Sequence, residues 1–148
     1  MAAPFDKNGI FMNSELVSTI RKNDTEEIRI SVLKNNKIDV RLYASFADGA
    51  EPSPTKKGSW ISFKHVPVII ETLSKIAEGK GDAEEVLEET DKGKLKVYSA
   101  DFKGRKYVHI RNFYLENGEY KPGKGVSFSA DATAAVLDGF KKLSGRKE

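Results

Sequence analysis

The sequence predicts an α+β fold of two tandem units, each with four antiparallel strands and one helix, packed as an intramolecular pseudo-dimer. The first reason is an internal repeat: residues 34–76 and 103–143 each run from an alternating strand through a turn with Lys and Gly into a helix-like stretch. After that turn, Ile61-Ser62-Phe63 in the first copy corresponds to Val126-Ser127-Phe128 in the second. The second reason is the alternation of apolar and polar residues in the candidate strands, which is typical of a half-buried sheet. The third is size, because a lone unit of about 50 residues would be marginally stable.

The first unit is predicted to span residues 14–79, after a flexible arm at residues 1–13. Residues 14–21 fit either a strand or a short helix. The two clearest strands flank an Asn-Asn turn, since Asn tolerates left-handed backbone. Apolar residues such as Ile28 and Ile30 alternate with polar residues before the turn, and the same alternation continues after it. The remaining predicted elements are a Gly- and Pro-containing loop at residues 48–55, a strand at residues 58–63 and a helix from Pro67 to Gly79.

The second unit is predicted to span residues 94–148, with an acidic linker at residues 80–93 joining the two units. Its first strand is predicted to end at Phe102, and residues 106–114 alternate as the next strand after a Lys-Gly turn. The other predicted features of this unit are a hairpin turn at Asn117-Gly118, an N-cap at Ser129 and a helix over residues 130–143.

Positive charge is concentrated in the second half of the chain. Residues 94–148 hold 12 Lys and Arg against 6 Asp and Glu, a net charge of +6, whereas residues 1–79 hold 11 against 10. Residues 80–93 hold 2 against 6, a net charge of −4. A local basic field attracts polyanions whatever the net charge of the whole chain.

The face of each predicted sheet that points away from its helix combines basic and aromatic side chains. Lys and Arg neutralise phosphates, and exposed rings stack on unpaired bases for about 1–3 kcal/mol each. Duplex DNA offers no free base faces, so this face indicates single-stranded nucleic acid. In the first unit the candidate residues are Lys34, Lys37, Arg41, Tyr43 and Trp60, with Arg29 beside them and Lys56 and Lys57 at a turn. In the second unit they are Phe102, Arg105 and Arg111, with Lys103, Lys121 and Lys124 at turns, Lys96, Tyr98, Tyr107 and His109 on the same face and Tyr114 turned outward by a bulge.

Structural roles remain open for several of these residues. Tyr43 is also a good strand former that would cover the sheet. Trp60 fits a buried anchor between the repeats as well as it fits a platform for a base. Arg41 and Arg111 are alternatively ion-pair partners, for instance with Asp39, although their matching positions in the two copies favour a functional role.

Other classes of function are disfavoured. The chain has no Cys, so thiolate chemistry is excluded, and neither His65 nor His109 has metal-ligand spacing to a partner. We expect a binding protein without cofactor, metal site or catalytic residue. No stretch reaches the roughly 18 apolar residues of a membrane span and no signal peptide is evident. The expected location is therefore intracellular, in the nucleus of a eukaryote or in the cytoplasm or nucleoid of a bacterium or phage host.

The run FKGRKYVHIRNFYLENGEYKPGKGVSF at residues 102–128 resembles the positive-cofactor-four family of transcriptional coactivators. The resemblance covers residues 95–143, and residues 28–76 follow the same pattern less closely, with LKNN in place of the Phe-Lys-Gly turn. The resemblance implies contacts to single-stranded DNA at Phe102, Lys103, Arg105, Arg111 and Tyr114, and at Lys34, Lys37 and Arg41 in the first copy.

Members of that family carry one such unit per chain and dimerise, so the resemblance implies a covalent pseudo-dimer with unequal half-sites, the second being the stronger. It also implies single-stranded DNA, or RNA, and transcription or replication machinery as partners, with further dimerisation of the pseudo-dimer left open. Two alternatives remain: a purine-rich single-strand binder similar to the Pur-alpha family, and a protein-interaction adaptor that kept the fold.

Overall fold

The computed structural model describes residues 14–146, so the predicted arm at residues 1–13 lies outside the described residues. Eight strands and two helices follow one another in the order of two equivalent units. The first unit comprises β1 (Glu15–Arg21), β2 (Glu26–Val32), β3 (Ile38–Ala44), β4 (Ser53–Ile61) and α1 (Val66–Ala77). The second unit comprises β5 (Glu84–Glu89), β6 (Gly93–Phe102), β7 (Arg105–Glu116), β8 (Glu119–Ser129) and α2 (Thr133–Lys141).

Each unit is an antiparallel sheet whose strands follow chain order, β1-β2-β3-β4 in the first and β5-β6-β7-β8 in the second. The predicted fold of two units with four antiparallel strands and a helix is therefore confirmed. Residues 14–21, for which the sequence left two possibilities, contain a strand that pairs with β2.

The two sheets repeat the same register around one arginine each. Arg41 on β3 lies opposite Gly58 on β4, and Arg111 on β7 lies opposite Gly125 on β8. In both sheets the pairing shifts directly after the arginine, with the extra residues on β4 and on β8. The internal repeat is thus a repeat of backbone irregularities as well as of strands.

One part of the predicted repeat was out of register. The sequence suggested that Ile61-Ser62-Phe63 corresponds to Val126-Ser127-Phe128, but Ile61 pairs with Ile38 as Phe128 pairs with Val108. Ile61 is therefore equivalent to Phe128. Both side chains are buried, and Ile61 pairs with β3 as Phe128 pairs with β7. Phe63 lies instead in a 3₁₀ turn, Phe63–His65, before α1.

Two segments predicted as loop or turn are strands. Pro54 was assigned to a loop, yet it lies in β4 opposite Tyr43, because β4 is an edge strand and an edge tolerates a missing N–H donor. The lysines predicted at turns also lie within strands: Lys56 and Lys57 in β4, and Lys121 and Lys124 in β8.

The predicted acidic linker is wrong at its centre, where residues 84–89 form β5 and pair with β6. The strand forms despite its glutamates because β6 offers cations across the ladder. Glu84 Oε2 lies 2.9 Å from Lys96 Nζ, and opposite charges on neighbouring strands stabilise a sheet. The second sheet therefore begins about ten residues earlier than predicted.

The last helix also starts later than predicted. Ala130–Ala132 form a 3₁₀ turn and the α-helix runs from Thr133 to Lys141. Ser129 makes no capping hydrogen bond with its side chain, so the predicted N-cap at this residue is not formed.

The helices join the two units into one body. α1 contacts α2, and each helix also contacts the sheet of the other unit: α1 lies against β5 and β6, and α2 lies against β1. A Cβ on Gly139 of α2 would stand 2.6 Å from Ile30 Cδ1 and 3.1 Å from Ser18 Cβ, so α2 lies in close contact with the first sheet at this residue. The apolar side chains of both sheets and both helices consequently form one core.

Within residues 14–146, no helix is both long and apolar enough to cross a membrane.

Candidate nucleic-acid interface

The outward face of the second sheet gathers cations and rings on three neighbouring strands. Leu95, Val97, Val108 and Ile110 are buried in the core, so the residues that alternate with them on β6 and β7 point away from it. We name this surface the basic-aromatic face. It comprises Lys94, Lys96, Tyr98, His109, Arg111, Phe113 and Ser127.

Aromatic rings form a continuous strip across this face. The rings of Tyr98 and His109 stack, with centroids 4.8 Å apart and planes 27° apart. The Phe113 ring lies tilted 5.8 Å from Tyr98. Lys96 Nζ lies 5.2 Å from the centroid of Tyr98 and 5.0 Å from that of Phe113, which are cation–π distances. Positive charge and ring surface are thus interleaved within a few ångströms.

Arg111 is held in place without being neutralised. Its Nη1 donates to the carbonyl oxygen of Gly123 at 2.9 Å, and its Nη2 donates to Ser127 Oγ at 3.0 Å. The partner strand makes room for the arginine at Gly125, where an added Cβ would stand 2.6 Å from Arg111 Cα. A guanidinium fixed by neutral acceptors keeps its full charge for an anion.

His109 completes this group as a neutral ring. Its Nδ1 lies 2.7 Å from Ser127 Oγ. Burial lowers the pKa of His109 below its ordinary value, and the charge of Arg111 lowers it further. Because Ser127 Oγ accepts a hydrogen bond from Arg111, its hydroxyl is free to donate to Nδ1 of the neutral ring.

The turn between β6 and β7 extends the interface at one end. Phe102 is 62% exposed, and Lys103 Nζ lies 5.3 Å from its ring. Lys103 adopts positive φ (52°) at this turn, and Arg105 is exposed directly after it. The structure therefore keeps these three predicted residues together at the surface.

At the other end, the structure differs from the prediction for Tyr114. β7 pairs with β6 without interruption through this region, and the bulge lies on β8. Tyr114, which is 47% exposed, therefore lies on the side of β7 opposite to Arg111. Phe113 occupies the place expected for Tyr114. Lys121 is paired with Glu119 at 3.1 Å, whereas Lys124 is exposed.

Sequence reasoning missed Lys94 and Phe113. Strict alternation contained the signal, because Phe113 stands two residues after Arg111 and Lys94 two residues before Lys96. Because Tyr114 was predicted to point outward, its neighbour Phe113 was not included in the predicted interface.

The first sheet presents a different surface at the equivalent positions. We name it the neutral face; it comprises Glu27, Arg29, Asp39, Arg41, Tyr43 and Trp60. The Arg41 side chain is only 8% exposed; its Nη2 lies 2.9 Å from Asp39 Oδ1, and its Nη1 donates to the Thr55 carbonyl at 2.8 Å. This arrangement is the ion pair that the sequence left as an alternative for Arg41.

The aromatic residues of the neutral face also differ from the prediction. Tyr43 was predicted on an exposed surface, but it is 5% exposed and lies under Arg29, whose Cζ is 4.3 Å from the ring centroid. Trp60 is 43% exposed and is not the buried anchor considered as an alternative. Lys34 is exposed in the β2–β3 turn, and Lys37 Nζ donates to Ser62 Oγ at 2.9 Å.

Two carboxylates account for the difference between the faces. Glu27 pairs across its sheet with Tyr43, as Lys94 pairs with Phe113, and Asp39 stands two residues before Arg41, as His109 stands before Arg111. Glu27 Oε2 accepts from Arg29 Nε at 2.6 Å. Burial raises the pKa of Asp39, and the adjacent Arg41 partly offsets that rise. Acids thus stand in the first sheet where the second has Lys and His.

Among residues 14–146, no three His, Asp or Glu side chains are grouped so that they could hold a metal ion.

No curated protein matches the chain in a sequence comparison. The model of the family described as Transcriptional Coactivator p15 (PC4) matches residues 90–139, about a third of the chain. The match includes the whole basic-aromatic face and leaves out the whole first unit, so it supports a coactivator-like relationship for the second unit and does not extend to a second copy.

Proposed function

We propose that this protein binds single-stranded nucleic acid, DNA in the first place, through the basic-aromatic face, and acts in transcription in the manner of a coactivator. The observation that carries the proposal is the cluster of Lys94, Lys96 and Arg111 interleaved with the rings of Tyr98, His109 and Phe113 on one outward, half-buried sheet face. The family match at residues 90–139 supports the same proposal.

The chemistry of the face suits an unpaired strand. The three cations neutralise phosphates, and the ring surface stacks on bases for about 1–3 kcal/mol per base. A duplex hides the faces of its bases, so it would contact only the cations. Stacking is tolerant of base identity, and binding is therefore expected to be largely independent of sequence.

The same arrangement favours binding over catalysis. Ser127 and His109 are in hydrogen-bond contact, but the third group beside them is a guanidinium and not a carboxylate that would orient the histidine as a base. We therefore propose that the protein is not an enzyme.

The proposal is tested by fluorescence anisotropy with a labelled oligothymidine of about 20 nucleotides and a duplex of the same length, at moderate salt. The single strand is expected to bind at least about tenfold more tightly, since one stacked base contributes about 1–3 kcal/mol. A purine-rich strand serves as a third probe, and a preference for it would favour the alternative of a purine-selective binder. Equal affinity for strand and duplex, or no binding of either, would contradict the proposal.

A further inference from the structure

We infer that a second cationic site, in the cleft between the two units, holds phosphates of the same strand after it leaves the basic-aromatic face. This inference rests on the proposed function. The cleft has a volume of about 580 Å³ and lies between the β1–β2 turn and β4 of the first unit and β8 of the second. Its charged lining residues are Lys22, Lys56, Lys57, Arg111, Lys124 and Glu26.

The charge of this cleft is strongly positive and largely uncompensated. Five cations face one carboxylate, which is Glu26. The four lysines are exposed, and none of them forms an ion pair with a residue of the described part of the chain. Several other lysines do have such partners: Lys96 lies 2.9 Å from Glu84, and Lys106 lies 2.8 Å from Asp82. Like charges gathered in a concave site repel one another, and an anion relieves that repulsion.

The cleft is continuous with the basic-aromatic face. Arg111 and Ser127 belong to both surfaces. Lys22 reaches from the first unit to the second, where its Nζ lies 3.4 Å from the Ser127 carbonyl oxygen. A strand that contacts Arg111 can therefore continue to the lysines of this cleft.

The neutral face offers no comparable path. Its arginines are occupied by Glu27 and Asp39, at 2.6 Å and 2.9 Å. The route of the strand is consequently from the second sheet across β8 to β4, and not over the outward surface of the first sheet. The ligand class is the phosphodiester backbone, because lysines recognise phosphate charge without reading bases.

The test uses the full chain and two oligothymidines, one of about 6 nucleotides that fits the basic-aromatic face alone and one of about 20 that also reaches the cleft. The variant is Lys56→Gln/Lys57→Gln. The matched control is Lys141→Gln/Lys142→Gln, a neighbouring pair of exposed lysines outside the cleft, which loses the same charge. Thermal unfolding of each variant checks that the fold is kept.

For the long strand, the cleft variant is expected to lower the slope of log K against log salt by about 1.4, or about 0.7 per lost phosphate contact. For the short strand, its affinity is expected to stay within about twofold of the wild type, because the basic-aromatic face is intact. The control variant is expected to match the wild type with both strands.

An unchanged salt slope for the long strand would overturn the inference, as would equal losses in the cleft variant and the control. In either case, wild-type binding of the short strand that Arg111→Ala weakens by about tenfold or more would leave the proposed function standing. If the wild type binds neither strand, the proposed function and the inference both fail.

Discussion

Arg41 and Arg111 occupy equivalent places in the two sheets and differ in what surrounds them. Each lies opposite a glycine of the next strand, and each donates to a carbonyl oxygen of that strand. Arg41 is then neutralised by the buried Asp39, whereas Arg111 meets a serine hydroxyl. One carboxylate therefore decides which arginine stabilises the fold and which is free to bind an anion.

Replacing the two arginines separates these roles. Arg41→Ala is expected to lower the free energy of unfolding by about 3–5 kcal/mol, because it leaves Asp39 buried without its partner. Arg111→Ala is expected to weaken binding of a single strand by about tenfold or more while costing less stability, since no buried charge is orphaned. Denaturant unfolding and anisotropy measure the two effects. Equal losses of affinity in both variants, at unchanged stability, would refute the assignment.

Among the strands and helices, β5 is the element that most alters the basic-aromatic face. Two of its glutamates lie beside the basic-aromatic face, where Glu84 pairs with Lys96 and Glu89 Oε2 accepts from the Tyr120 hydroxyl at 3.3 Å. Lys94 Nζ lies 4.0 Å from the centroid of the Tyr120 ring, so Tyr120 contacts both Glu89 and Lys94. β5 thus supplies internal counter-ions that a nucleic-acid phosphate must displace.

Removing one of these counter-ions should strengthen binding. Glu84→Gln frees Lys96, and we expect single-strand affinity to rise by about 1.4- to fivefold at low salt, because a surface ion pair contributes about 0.2–1 kcal/mol. Glu85→Gln is the control, since it makes the same charge change on the same strand at a residue that forms no ion pair within residues 14–146. Anisotropy at two salt concentrations measures both. A similar gain in both variants would point to net charge alone.

The strands and the helix that were predicted correctly show the periodicity of their secondary structure in their own residues. β2, β3 and β7 alternate apolar and polar residues, and α1 places its apolar residues at helical spacing, so local sequence sufficed. β5 lacks that pattern: four of its six residues are glutamate, and it is a strand only because β6 pairs with it. Pro54 in β4 misled in the same way, because only its edge position, a property of the whole sheet, permits it.

The candidate site was predictable in composition and less so in detail. Arg111, Phe102, Lys103 and Arg105 lie at the surface as the alternation and turn suggested. The burial of Arg41 and Tyr43 was not predictable from their strand, because it depends on cross-strand neighbours such as Gly58 and Arg29. Tyr114 was misplaced because the sequence does not tell which strand of a pair carries a bulge.

Within residues 14–146 the two units are interlocked, and the basic-aromatic face belongs to the second unit. The helices contact each other and cross to the opposite sheets, and Arg146 Nη2 lies 2.9 Å from Glu15 Oε2, which ties the end of the second unit to the start of the first sheet. The second unit packs against the first. The basic-aromatic face nevertheless lies on the second unit. The two-unit fold thus supplies a scaffold, and the charges of Glu27 and Asp39 make its two halves unequal.

The most direct measurement is a backbone-amide NMR titration of the full chain with an oligothymidine of about 20 nucleotides. Shifts are predicted along β6, β7 and β8 at the basic-aromatic face and at the cleft lysines Lys56 and Lys57, while the amides of Glu27, Asp39 and Tyr43 stay unchanged. Shifts of equal size on the outward faces of both sheets would contradict the account, because they would mean that the paired carboxylates do not exclude the strand from the first sheet.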